Sequence, residues 1–343
     1  MTSGGGMHIA LVKLSSLGDV VHALPLAHAL SRRLPACELT WIVERREEAI
    51  LRGNPDVGHV VAVDTRLWRR EFRRPGGGHT VYVKVRGLVH RLRAGGFDVA
   101  LDVQGNLKSG VITALTRAPL RVGFAVCDCR ERGNALFTNR RVPLPSGPVH
   151  VVEENLALLA ALGVAHVEVG TPVFALPSDP AAEGVIARVL EKEGVRAETP
   201  LVVLNPGSGR ASKRWTVEAY RRVGEHLARR LGARPVLCWG PGEEGLARTI
   251  AEGMGDAPLI PPPTSILEMV ALLRRASLVV GADTGPIHIA AALGVPTVGL
   301  YGPTDARRNG PYGPRVTTVQ SRSGRMEDIG FGAVLAAADR LLT

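Results

Sequence analysis

The chain has 343 residues, enough for roughly two domains at ~150 residues each, and 45% of its residues are hydrophobic while only 4% are aromatic. That balance excludes wholesale disorder and favours helices with buried strands over an all-β fold. The formal net charge of +10 calls for an anionic partner and leaves nucleic acid, an acidic membrane surface and a phosphorylated substrate all open.

No apolar run reaches the ~18 residues of a membrane span, and no signal-peptide core follows "MTSGGG". A soluble protein is expected, with residues 1–6 as a loose tail. Cys37, Cys127, Cys129 and Cys238 have no zinc-type spacing, so reduced thiols and no metal are expected.

Short apolar runs alternate with stretches of helical period. "HIALVKL" reads as a strand feeding a helix near 19–34, and "ELTWIV" as a strand before a helix from Glu44. "HVVAVD" precedes a helix ending near Arg93, and "DVALDVQ" one from about Leu107. The prolines and small residues of "VGTPVFALPSDPAAEG" mark a linker near 172–180. The rhythm then restarts. "PLVVLNPGSG" leads to a helix from about Thr216, and "RPVLCWG" to one after Pro241. "SLVVGADTG" leads to "PIHIAAALG", "PTVGLYGPTD" follows, and "MEDIGFGAVLAAADRLL" reads as a last helix. Nearly all-apolar strands alternating with helices predict parallel sheets covered on both faces, here in two Rossmann-like halves with a cleft between them. Ligands in such folds bind beyond the carboxyl ends of strands.

Four loops there carry candidate chemistry. Asp19 follows "KLSSLG" where a strand hands over to a helix; it reads either as a helix cap or as a base. "NPGSGRASKRW" places Gly207, Ser208 and Gly209 where they can wrap an anion, with Lys213 either reaching back to it or simply solvated. In "GADTGPIHIAAALG", Asp283, Thr284 and Gly285 open a helix whose first N–H groups suit phosphate oxygens, though a plain N-cap is an equal reading; His288 lies one turn on. "GPGEEG", Gly240 to Gly245, matches a dinucleotide fingerprint, but its two glutamates would face the pyrophosphate and it does not open the first strand of its half, so the match is set aside. Residues 66–93 hold nine Arg or Lys against one acid, Glu71, beside Trp68 and Phe72, both expected to be exposed, and a glycine run expected to be mobile. This stretch suits a phosphorylated lipid at a membrane surface or a solvated helix face, and it lacks a recognition helix for nucleic acid.

The segments "KLSSLGDVVHALP", "RLWRREF", "FDVALDVQGNLKSG", "RERGNALFTNRRV", "SKRW", the "WG…EE" turn, "DTGPIH" and "YGPTD" together resemble the bacterial lipopolysaccharide heptosyltransferases, glycosyltransferase family 9. The likeness runs from Met7 to about Gln320 and is strongest to the type I members, whose turn "DTG" shares. It implies a GT-B fold: two facing Rossmann-like domains with a central cleft and a C-terminal helix. The expected boundaries are 7–175 for an acceptor-binding domain and 176–326 for a donor-binding domain, with 327–343 as a helix packing back on the N-terminal domain. It also implies transfer of heptose from ADP-L-glycero-D-manno-heptose to Kdo2-lipid A, with inversion, without metal or other cofactor, at the cytoplasmic face of the inner membrane and without nucleic acid.

By motif matching the resemblance makes Asp19 the general base and Lys213 its catalytic partner. Ser208, Gly209, Lys213, Glu243, Asp283, Thr284, Gly285 and His288 fall on donor-binding positions. Lys13, Ser15, Ser16, Gly18, Arg66, Arg69, Arg70, Lys108 and Arg130 fall on acceptor positions. Two departures stand out: Gly-Ser-Gly at 207–209, where some type I members carry adjacent threonines, and Thr216, where proline is usual. Type II or other family members with a different acceptor, and a non-catalytic binder of anionic lipid or nucleic acid, remain as alternatives.

Overall fold

The computed structural model describes residues 6–164, 171–255 and 258–342. Most of the expected N-terminal tail, residues 1–5, lies outside them. The chain divides into two units, Met1–Ala175 and Leu176–Thr343.

The first unit is built from β1 (His8–Val12), α1 (Leu17–Val21), α2 (Leu24–Arg33), β2 (Glu38–Glu44), β3 (His59–Val63), α3 (Thr65–Phe72), α4 (Gly77–Ala94), β4 (Val99–Asp102), α5 (Leu107–Leu115), β5 (Leu120–Phe124), β6 (Arg140–Val142) and α6 (Val151–Ala157). Its six strands are all parallel in the order β3-β2-β1-β4-β5-β6. The order reverses between β1 and β4, the switch point beyond which doubly wound sheets bind ligands. β1 is apolar on both faces because it is covered on both.

Three expectations for this unit are corrected. The helix near 19–34 is two helices, α1 and α2, with Pro25 in the first turn of the second. The helix from Glu44 is only a 3-10 turn at Glu48–Leu51, since Gly53 takes a left-handed φ of 70° and ends it. The glycine run at 76–78 is the ordered start of α4, with Gly76 as its left-handed cap at φ 73°.

The second unit comprises α7 (Pro180–Lys192), β7 (Leu201–Asn205), α8 (Val217–Leu231), β8 (Arg234–Leu237), α9 (Glu244–Ala251), α10 (Ile266–Arg274), β9 (Leu278–Ala282), α11 (Gly285–Ala292), β10 (Thr297–Tyr301), α12 (Ala306–Asn309), β11 (Val316–Gln320) and α13 (Phe331–Leu342). Its parallel order β11-β10-β9-β7-β8 reverses between β7 and β9. Gly281 makes that junction possible, because a Cβ there would lie 2.8 Å from both the Cβ and the carbonyl oxygen of Asn205. Both units are thus parallel α/β sheets of Rossmann type.

The last helix packs into the core of the second unit. Val334, Ala337 and Ala338 sit in one core with Trp215, Tyr220, Val223 and Leu227. Trp215 Nε1 donates to Ile329 O at 3.0 Å, and Arg230 pairs with Asp339. Among the described residues no helix is long and apolar enough to cross a membrane.

In each unit a buried aromatic side chain props the end of the first strand. Trp41, fully buried on β2, donates Nε1–H to Lys13 O at 3.1 Å just past β1. Tyr220, fully buried on α8, donates its hydroxyl to Asn205 O at 3.1 Å at the end of β7. Both bonds hold backbone directly beneath a candidate loop.

Candidate active site

At the switch point of the first unit, Ser16 caps α1 and Asp19 is the third residue of that helix. Asp19 Oδ2 accepts from Ser16 N at 2.8 Å and from Ser16 Oγ at 2.9 Å, a reciprocal capping box. The other carboxylate oxygen, Oδ1, has no hydrogen bond among the described residues. Burial alone would raise this carboxyl's pKa. The charge of Lys13, the two bonds from Ser16 and the charge of Arg130 outweigh it and hold the group below the ordinary carboxylate range. Asp19 is therefore both a cap and an ionised carboxylate with one oxygen to spare.

The loop that carries it is pinned by a residue the sequence reading did not single out. Gln104 Oε1 accepts from Leu14 N at 2.8 Å and Ser15 N at 3.3 Å, while its Nε2 donates to Ser15 O at 2.6 Å. Gln104 is in turn held by Asp102, wholly buried, whose Oδ1 accepts from the backbone of Gln104 and Gly105 at 3.0 Å each. Asp102 Oδ2 accepts from Asn134 Nδ2 at 2.6 Å. Burial raises the pKa of this carboxyl despite those donors. The only signal available beforehand was a polar cluster, "DVQGN", at the end of an apolar strand. Gln104→Ala should cost about 1–3 kcal/mol of stability, because it strips partners from buried backbone groups. It should also lower kcat about tenfold with donor KM unchanged; steady-state kinetics beside urea unfolding would show whether the two effects separate.

The expected acceptor residues fall into distinct environments. Ser15 is half-buried, Ser16 is exposed and Gly18 is buried. Lys13 is buried and donates to Val103 O at 2.7 Å, so it sets the field around Asp19 instead of offering a surface contact. Lys108 pairs with the buried Glu44 at 2.9 Å, and Glu44 also takes the Thr65 hydroxyl, so this lysine is already neutralised. Arg66, Arg69 and Arg70 stand exposed on α3, and Arg130 is exposed after β5. Trp68, expected to be exposed, is half-buried against the first unit's core, which roots α3 there; Phe72 is 68% exposed.

At the switch point of the second unit the side chains converge more closely. Lys213 Nζ donates to Asp283 Oδ2 at 2.5 Å, and His288 Nε2 lies 3.1 Å from Asp283 Oδ1. Burial opposes ionisation of Asp283, but His288 and Lys213 together bring its pKa down to about 2. Asp283 therefore positions the ammonium of Lys213, which keeps further N–H bonds for a ligand. Asn205 Nδ2 donates to Thr284 Oγ1 at 2.7 Å, and Thr284 Oγ1 donates to Ala282 O at 3.1 Å. With its hydroxyl so engaged, Thr284 makes no side-chain cap on α11. As the first helical residue, Gly285 has no intrahelical acceptor for its N–H, which is left for an anion.

The folded-state pKa of Asp283 lies below its ordinary 3.8, so its contribution to stability is complete above pH ~4 and disappears as pH falls toward 2. Asp283→Asn should thus cost roughly 2 kcal/mol at pH 7. The gap between variant and parent should close below pH ~4, and a pH-independent gap in urea titrations would contradict this assignment.

The remaining donor-side residues are more loosely arranged. Ser208 is buried and its Oγ accepts from Arg210 N at 3.3 Å. Gly209 is exposed, with open space where a Cβ would sit. Glu243 folds back to accept from Gly240 N at 2.9 Å. Its carboxylate occupies the space beside Gly207, where an added Cβ would lie 1.9 Å from Glu243 Oε2, so any larger residue there would displace the Glu243 carboxylate. Trp239, Ile260, Pro261 and Pro262 line a groove with Glu244 at the start of α9. Among the described residues no cluster of three or more His, Cys, Asp or Glu could hold a metal ion.

Comparison with known proteins adds to this geometry. The model of glycosyltransferase family 9 (heptosyltransferase) matches residues 85–334. The chain is 32% identical over 312 residues to lipopolysaccharide heptosyltransferase 1 of Pseudomonas aeruginosa, spanning 90% of this chain and 82% of that protein. The solved Escherichia coli heptosyltransferase WaaC with ADP has a TM-score of 0.82 at 26% identity, covering 98% of this chain and all 100% of that one. The same enzyme with ADP-2-deoxy-2-fluoro heptose has a TM-score of 0.79 at 26% identity, covering 97% and 99%.

Proposed function

We propose, because this chain belongs to glycosyltransferase family 9, the heptosyltransferases, that it moves L-glycero-D-manno-heptose from ADP-heptose to Kdo2-lipid A in assembly of the lipopolysaccharide inner core. The observation that carries the donor half of this reading is the Lys213–Asp283–His288 cluster beside the uncapped start of α11. A diphosphate leaving group gains negative charge as the glycosidic bond breaks. A fixed ammonium and helix N–H groups aimed at it stabilise that charge without a metal. The relatives named with ADP and with an ADP-heptose analogue support the nucleotide. The groove beside α9 sets Trp239, Ile260 and Pro261 beside the charged Lys192, Glu193, Glu244 and Arg248, and its apolar part could take a purine; Glu243 offers an acceptor for ribose or heptose hydroxyls.

For the acceptor half, a Kdo hydroxyl bound near Asp19 would lose its proton to Oδ1 as the new bond forms at C1. A single in-line displacement inverts the anomeric centre. Arg66, Arg69, Arg70 and Arg130 would hold the acidic acceptor, and the enzyme would work as a peripheral protein on the cytoplasmic face of the inner membrane.

The test is transfer from ADP-heptose to Kdo2-lipid A beside the same acceptor already carrying one heptose, each with and without EDTA, with the product anomer read by NMR. Preference for the unmodified acceptor, inversion and indifference to EDTA are expected. Preference for the heptosylated acceptor would make the chain a type II enzyme, and loss of turnover in EDTA would remove the metal-free mechanism. Thermal stabilisation by ADP but not by UDP, NAD or duplex DNA would agree with the donor assignment.

A further inference from the structure

The hairpin of α3 and α4 protrudes from the first unit. α3 buries no residue fully, and from Arg69 to Val83 only Glu71, Gly77 and Val81 are not exposed. α4 is anchored by Leu88 and Leu92, one turn apart and buried in the core. Its opposite face is turned to solvent, with Tyr82, Arg86 and His90 exposed at four-residue spacing.

The tip holds its shape through Lys84 Nζ, which meets both oxygens of Glu71 at 2.8 and 3.0 Å, and through Gly77 N, which donates to Arg74 O at 3.0 Å. Phe72 follows Glu71 and Val83 precedes Lys84, so the ion pair that ties the helices sets these side chains at the same end of the hairpin. Phe72, Tyr82 and Val83 are 68%, 60% and 53% exposed, an unusual cost to leave in water unless something covers them. The only acid of the segment is spent on Lys84. Arg69, Arg70, Arg73, Arg74 and Arg86 thus surround the apolar tip with no salt bridge among the described residues.

We propose that this hairpin docks the protein on an anionic lipid bilayer, with Phe72, Tyr82 and Val83 entering the interface and Arg73, Arg74 and Arg86 meeting the headgroups. An apolar tip ringed by cations matches the layering of a charged membrane surface, greasy below and anionic above. Phe72 and Val83 present only hydrocarbon, which gives a nucleic-acid backbone nothing to bind, whereas a bilayer takes up both. Docking here would bring Arg66, Arg69 and Arg70 to the plane in which a lipid acceptor lies. That purpose rests on the acceptor reading above, but the binding itself does not.

The test uses the full chain in co-sedimentation with vesicles of phosphatidylcholine, with and without phosphatidylglycerol, in the absence of donor and acceptor. Binding should require the anionic lipid and weaken as salt rises. Arg73→Gln with Arg74→Gln should weaken it about twenty-fivefold, at about fivefold for each charge. Phe72→Ser should weaken it about tenfold. All three side chains are exposed, so thermal unfolding should not change, and transfer to a detergent-dispersed acceptor should be kept. Equal binding to neutral vesicles, binding unmoved by these variants, or tighter binding to duplex DNA than to the anionic vesicles would overturn the proposal. Failure of heptose transfer alongside normal vesicle binding would strike only the catalytic reading.

Discussion

Asp19→Asn should leave ADP binding almost unchanged, cost some stability at neutral pH because the fold favours the ionised carboxylate, and reduce turnover by about 10²–10⁴-fold, the usual worth of a positioned general base. The substitution is selective because an asparagine Oδ1 can still accept from Ser16 N and Oγ, so the capping box that orders α1 survives. What disappears is the ionised oxygen with no protein partner. A carboxyl held below its ordinary pKa is a weak base at rest. It works because a hydroxyl becomes strongly acidic as its oxygen bonds to the sugar, so the proton moves late and downhill. The same depression sets the pH profile. The active form is the carboxylate, so any acid limb due to Asp19 should fall below pH 3.8, and the rate should be flat from there toward neutrality. Near-normal turnover in the asparagine variant would reduce Asp19 to a cap.

Lys213→Ala should lower kcat/KM for the donor by about 10²–10³-fold, comparable with loss of one charge-stabilising donor in other active sites. ADP affinity should fall less, since charge on the diphosphate peaks in the transition state and the lysine is worth most there. Asp283 would keep His288 as a partner, so the local fold should persist. Lys213→Arg should recover only part of the loss, because a planar guanidinium cannot take the compact position that places the ammonium 2.5 Å from Asp283. An unchanged donor kcat and KM in the alanine variant would move the phosphate site elsewhere.

The features that could be read from the sequence share a physical origin. Buried parallel strands are continuous apolar runs, so β1, β4, β7 and β9 announced themselves, and in each unit the loops after them are where such sheets place candidate ligand-binding residues. Asp19, Lys213, Asp283 and Thr284 were therefore accessible to local pattern. Residues acting through distant partners were not. Gln104 bonds backbone 90 residues away, and Lys108 meets Glu44 64 residues away; a single sequence carries no mark of either pairing. Burial of Lys13 was equally hidden, because a lysine at the end of a strand looks the same whether it faces water or Val103 O. The helix expected from Glu44 failed for another reason. "EAIL" supplies apolar residues, but a left-handed glycine two places on leaves length for only one tight turn.

The two aromatic props, Trp41 under Lys13 and Tyr220 under Asn205, suggest where this enzyme can change and where it cannot. Each carries the strand end from below, so the loop above it does not have to hold its own foundation. Substitutions such as the Gly-Ser-Gly at 207–209 can then accumulate as a lineage drifts, altering which atoms the proposed donor loop presents while the strand beneath it stays still. Divergence should concentrate in the loops and spare the two aromatics, although neither side chain ever meets a substrate.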